Sequence, residues 1–177
     1  MKKHSYAALA GLILVLSVFT TVESTGWSIA DGYAVNFEGT DAVGVFATLS
    51  GDVQWDEADL ASSSCAFKIN VSSINTGNGI KKKHAKSDKW FHAETHPYIE
   101  FNSSKFSKIA DGYKATGILK MHAVEKEVTI PFNFSDNTFK AMFSVNRLDY
   151  ETGTMKGMMK KVSNEIKLDV SIPVAKK

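Results

Sequence analysis

Apolar and polar residues alternate with period two along most of this chain, the mark of strands with one buried and one solvated face. Tyr33, Val35 and Phe37 alternate with Ala34, Asn36 and Glu38. Val45, Ala47, Leu49, Val53 and Trp55 share one phase, and Cys65, Phe67, Ile69 and Val71 share another. Ile99 and Phe101 follow Pro97, and Tyr113, Ala115, Leu119 and Met121 come next. Then come Val128, Ile130, Phe132 and Phe134, and Phe139, Ala141, Phe143 and Val145. Ile166, Leu168, Val170, Ile172 and Val174 complete a set of eight predicted strands. Turn-forming residues separate them, for example Ala110-Asp111-Gly112 and Ser135-Asp136-Asn137. Links this short favour an antiparallel meander over crossovers. A sheet with one apolar face must cover it, and closure into a barrel does so while removing edges. A two-sheet sandwich satisfies the same periodicity.

One stretch breaks the rule. Residues 80–91 are rich in Lys and His and do not alternate, while Ile80, His84, Ser87 and Phe91 fall at helical spacing. Gly77 and Gly79 precede the stretch and Pro97 follows it, so a short helix lying across the barrel near its mouth is predicted. The amino terminus reads differently again. A positive start at Met1-Lys2-Lys3-His4, an uncharged apolar run over residues 7–19, and Val22 and Ser24 before Thr25 form the three-part pattern of a signal peptide over residues 1–24. That apolar run falls short of the ~20 residues a helical span needs. Residues 25–177 then make one domain with one core.

Composition removes several functional classes. Cleavage would take Lys2, Lys3 and Glu23 and leave a formal charge of +1 in place of +2, so there is no overall field for nucleic acid. Cys65 is the only cysteine, which excludes a disulfide within the chain, and its place on an apolar strand face reads as a buried small hydrophobe. There is no serine-centred elbow, no paired carboxylate site and no cofactor fingerprint, so neither enzyme nor cofactor is expected. His92-Ala93-Glu94-Thr95-His96 is not a zinc-protease helix, because the glutamate falls one position late. Pro97 also biases His96 away from helical backbone, so no metal site is expected there. Met155, Met158 and Met159 offer soft sulfur but read as an adaptable loop. Lys81, Lys82, Lys83, Lys86 and Lys89 make a basic patch beside the predicted helix, either a solvated face or a seat for an anionic group. Arg147 would bind a phosphate or pair with Asp149, the latter being the expectation.

Six short motifs, in order, resemble the YceI family of exported lipocalin-like barrels associated with polyisoprenoid lipids. They are Trp27-Ser28-Ile29-Ala30-Asp31, then residues 71–77 ending Ile74-Asn75-Thr76-Gly77, then Lys83-His84-Ala85-Lys86-Ser87. Trp90-Phe91 with His96-Pro97-Tyr98-Ile99-Glu100-Phe101 is similar to the family's paired phenylalanines and Tyr-Pro-x-Ile-x-Phe. Residues 117–126, with His122-Ala123-Val124, resemble its Gly-x-Leu-x-x-His-Gly-Val-Thr-Lys turn, and Asn146-Arg147-Leu148-Asp149-Tyr150 its Asn-Arg-x-x-Phe-Gly stretch. The chain departs from the pattern at Lys82-Lys83, Ala123, Glu125 and Glu151.

The resemblance implies an all-β, eight-stranded antiparallel barrel in the periplasm that holds a polyprenyl, quinone or related long-chain lipid. From the residues alone, an eight-stranded barrel can be filled by side chains or hold one ligand; the resemblance selects the ligand. The implied binding residues are Phe37, Val45, Leu49, Phe67, Ile69, His84, Trp90, Phe91, Phe101, Leu119, Ile130, Phe132, Phe143, Arg147 and Leu168. Burial of a tail supplies roughly 0.8 kcal/mol per methylene, so the head group alone requires polar contacts, with His84 and His122 as candidates. Transient membrane contact and a homodimer fit this reading, and nucleic acid does not. The alternatives are an enzyme on an apolar substrate with His84 or His122 as acid or base, and a ligand-free interaction domain.

Overall fold

The computed structural model describes residues 26–154 and 161–177, so the signal-peptide segment and the methionine loop lie outside it. The eight alternating segments become eight composite strands closed into an antiparallel ring. The first is β1 (Gly26–Ile29) continued, after a bend at Asp31-Gly32, by β2 (Ala34–Gly39). The second is β3 (Ala42–Phe46) continued by β4 (Leu49–Gln54), with β3 on β2 and β4 on β1. β5 (Ser64–Asn70), a 3-10 turn at Val71–Ser73 and β6 (Ile74–Asn75) form the third. β7 (Tyr98–Ile109), β8 (Gly112–Met121), β9 (Val124–Ser135), β10 (Thr138–Asn146) and β11 (Glu165–Lys176) follow as a meander. β11 closes the ring, pairing Leu168 with Phe37 and Val170 with Val35 on β2, and Val174 with Ile29 on β1.

The connections follow from backbone chemistry. Asp136 and Asn137 take φ of 50° and 53°, the two left-handed residues of a tight hairpin. His122 and Ala123 do the same between β8 and β9 at 50° and 64°, although alanine pays for that conformation. A bulge shifts β7 against β8 between Ser103 and Lys105. There the Ser103 hydroxyl accepts from the Cys65 amide at 2.7 Å and completes a ladder position that the bulge vacates. β9 and β10 share only the pairs Ser135–Thr138, Phe134–Phe139 and Asn133–Lys140. Pro131, which has no amide proton, stands two residues beyond, where the pairing has stopped.

Two sequence expectations need correction. The Val45–Trp55 segment does not keep one phase. It breaks at Ala47-Thr48, so Phe46 on β3 and Leu49 and Val53 on β4 are buried, while Val45 is only half-buried. The helix α1 is also shorter than the predicted 80–91, running only over Gly79–Lys86. Asn78 caps it, its side chain accepting from the Ile80 and Lys81 amides, each at 3.0 Å. Ser87 ends it, donating through both amide and hydroxyl to the His84 carbonyl at 3.0 and 2.7 Å. No α1 residue is buried, and Ile80 faces solvent at 70 % exposure.

Rings close one end of the barrel. Trp55 lies 5.0–5.6 Å from Phe106, Tyr113, Phe132, Phe134 and Phe139, mostly edge to face. Trp27 packs below on Phe134 and donates its indole N–H to the Trp55 carbonyl at 3.0 Å. Side chains therefore fill this end as a floor. The opposite end carries α1, the 87–97 connection and the 147–154 turn, and the described residues leave it open.

Candidate functional site

The interior above the floor is hollow. A cavity of about 840 Å³ opens at the mouth, and a narrower one of about 140 Å³ continues it towards Trp55. They share Val35, Ile69, Ile99, Leu119, Phe143 and Val170 on their walls, so they adjoin along the barrel interior. The narrow part is lined by apolar side chains, among them Leu49, Phe67, Phe101, Ile130 and Phe132. Cys65 is there too, its thiol pushed up to about 11 by burial, which makes it inert. The wide part has apolar walls (Phe37, Phe46, Met121, Val145, Leu168) and a polar rim of Asp41, Thr76, Lys81, His84, Ser87, Asp88, Lys89 and Lys161.

All the binding residues expected from the sequence line this space except Val45. The inward positions of β3 are Ala42 and Phe46, with Gly44 against Phe37, and Val45 belongs to the other face. Phe46 was missed because the phase changes just beyond it. Its ring packs at a tilt on Phe37 at 5.4 Å and edge to face on Phe91 at 6.0 Å, which anchors the 87–97 connection to the wall. The basic patch divides: Lys81 and Lys89 reach the rim, and Lys82, Lys83 and Lys86 do not. Lys81 also ties α1 to the β2–β3 turn, 3.7 Å from an Asp41 carboxylate oxygen.

Arg147 behaves otherwise than expected. Its Nε donates to the Ser163 carbonyl at 3.0 Å, and its Nη1 to the Thr152 and Gly153 carbonyls at 2.8 and 2.6 Å. Nη2 reaches the Val162 carbonyl and the Asn164 side chain, both at 3.2 Å. Asp149 lies instead 3.8 Å from Lys126. The guanidinium, held below its ordinary pKa by desolvation, thus ties residues 152–153 to residues 162–164 at the rim. Trp90 lies over it at 5.3 Å. Gly153 sits beneath that indole with φ of 65°, where an added Cβ would come within 2.5 Å of Cζ3. Arg147 and Trp90 form one side of the mouth.

His122 is not at the mouth lining. It lies in a separate cluster with His92 and His96, ring centroids 5.0 Å apart for His96–His122 and 5.7 Å for His92–His96. No helix forms across His92–His96, as expected from Pro97, and His92 takes φ of 46°, yet a single turn brings the two rings together. The His96 amide donates to the His92 carbonyl at 2.8 Å, closing a single turn. Such a turn constrains residues 93–95, whereas Pro97 restricts only His96 itself. Partial desolvation, then His122 and His92 beside it, hold the His96 imidazole below its ordinary value.

Residues 22–174 match the YceI-like domain, and the chain belongs to that family. It is 25% identical to protein YceI of Salmonella arizonae, over 97% of each chain. Among solved structures it resembles Burkholderia cenocepacia BcnA, with a TM-score of 0.74 and 25% identity over 81% of this chain and 96% of that one. It also shares its fold with a polyisoprenoid binding domain from Saccharophagus degradans, at a TM-score of 0.62 and 16% identity, over 86% of this chain and 99% of the other.

Proposed function

We propose that this YceI-like barrel is a non-enzymatic carrier that holds one long-chain amphiphile, a polyprenyl or quinone-type lipid, with its tail in the cavity and its head at the rim. The observation that carries this reading is the gradient along two adjoining compartments, from an aromatic floor through apolar walls to a mouth of Lys, His, Asp and Ser. At roughly 30 Å³ per water-sized group, the 840 Å³ compartment has room for a tail of many carbons. Twenty buried methylenes would contribute about 16 kcal/mol, against an association cost of about 4–15 kcal/mol. The polyisoprenoid binding of the Saccharophagus domain, a fold neighbour, supports the same class of cargo.

Residues 1–24 act as a signal peptide and the barrel works in the periplasm, where an amphiphile must cross water between membranes. Lysines at the rim and the exposed Ile80 of α1 suit brief contact with an anionic membrane surface. Trp90 at the mouth and Trp55 at the floor report on occupancy, since both line the space. Titrating delipidated protein with an undecaprenyl or decaprenyl lipid should change the tryptophan emission and saturate at one equivalent. A linear, unsaturable response would contradict a defined site. Entry is gated by α1: a disulfide between cysteines placed at Lys81 and Asp41 should slow exchange in the oxidised form and release it on reduction.

A further inference from the structure

Three of the chain's five histidines meet outside the cavity lining. One ring nitrogen from each of His92, His96 and His122 lies within 4.8 Å of the other two, and all three side chains are half-buried. They come from distant parts of the sequence. His92 and His96 close a turn on the connection between α1 and β7, and His122 occupies the β8–β9 hairpin in a left-handed conformation, φ 50°. Edge-to-face stacking accounts for contact between the rings, but not for three nitrogens converging. Nor does stacking satisfy His122 Nδ1, which is shielded from solvent and has no hydrogen-bond partner among the described residues. A buried nitrogen of this kind is costly unless a partner or an ion takes it up.

The geometry points to a metal site: we infer that His92, His96 and His122 bind one divalent first-row transition-metal ion, with zinc as the type. Imidazole is a good ligand for Zn²⁺ and Cu²⁺, and three imidazoles leave a fourth position for water or an external ligand. Zn–N bonds of about 2.1 Å place tetrahedral ligands about 3.4 Å apart, so modest side-chain rotation from 4.8 Å completes the site. The Thr95 hydroxyl, 2.9 Å from His92 Nε2, fixes that ring from outside, the kind of support that orients metal ligands. Lys120 lies close enough to oppose a cation, but it is paired with Glu125 at 3.1 Å. A bound ion would staple the connection that carries α1 to the β8–β9 hairpin of the barrel.

The test uses the full chain without an affinity tag, stripped with chelator and titrated with zinc chloride by calorimetry, then with cobalt chloride by visible absorption. The expected result is one tight equivalent of zinc and a cobalt spectrum of nitrogen-rich tetrahedral type. His92→Ala and, separately, His96→Tyr should each weaken zinc binding by at least ~10-fold, the lower end of what losing even a supporting group costs a metal site. Zinc should raise the melting temperature of the parent but not of these variants. His96→Tyr guards against misfolding, because tyrosine is the residue of the resembling motif at that position. Absence of a tight equivalent in the parent would overturn the inference, and so would undiminished zinc affinity in both folded variants.

Discussion

If a lipid tail reaches the floor of the barrel, filling the narrow compartment should shorten the longest chain that binds well. Ala141 is the residue to change. It lines the 140 Å³ end of the space from β10, opposite Val170, and its small half-buried side chain leaves room above it. At roughly 30 Å³ per water-sized group, this compartment holds four or five methylene-sized units. At about 0.8 kcal/mol each, a tail that enters it gains about 3–4 kcal/mol. Ala141→Phe places a ring there and denies that gain, which corresponds to roughly 200- to 1000-fold in affinity. A shorter homologue whose tail ends in the wide compartment should bind the variant and the parent alike. The assay is a displacement titration with prenyl alcohols that differ by one isoprene unit. An equal loss for short and long chains, or no loss for any, would refute an ordered tail running from mouth to floor.

Other consequences concern stability. Ala123→Gly should stabilise the barrel by about 0.5–1 kcal/mol in urea unfolding, because alanine at φ 64° pays a left-handed penalty that glycine does not; an unchanged midpoint would mean that the turn relaxes at no cost. Gly153→Ala should cost about 2–3 kcal/mol and shift the Trp90 emission, since its Cβ meets Trp90 at 2.5 Å as well as a φ of 65°. Gly77→Ala, at φ 68° with open space around it, should cost only the backbone part, about 1–2 kcal/mol; equal losses at the two glycines would deny the Trp90 contact. Cys65 predicts a pH effect with a definite sign. Its thiol stays neutral up to about 11 when folded against an ordinary 9.0, so the stabilisation is complete below pH 9 and fades between 9 and 11. Relative to Cys65→Ala, the parent should lose about 2 kcal/mol by pH 11, and parallel curves would contradict the burial.

The ring of eight strands was legible because period-two alternation depends only on which face meets the interior, and a barrel keeps that face constant along each strand. Val45 shows where such reading ends. A break at Ala47-Thr48 resets the phase, and nothing in the composition of that stretch distinguishes it from a continuous strand. Most of the cavity lining followed from the same alternation, since in a hollow barrel the residues that would form the core become the walls. Whether the interior was hollow was not legible. It depends on how far apart opposite walls stand, and on Trp55 gathering five rings at one end instead of in the middle. Arg147 was misread for a related reason. Its neighbour in sequence, Asp149, suggested a local pair, whereas the contacts that hold the guanidinium come from residues 152–153 and 162–164.

The central claim is that the barrel interior carries a lipid. Protein purified from its native host without detergent should be weighed intact by native mass spectrometry and then extracted with organic solvent. The account predicts a folded species heavier than the polypeptide by one amphiphile, and a single isoprenoid or quinone in the extract at close to one equivalent. A native mass equal to the polypeptide alone, an empty extract and no uptake of prenyl lipids offered afterwards would contradict it.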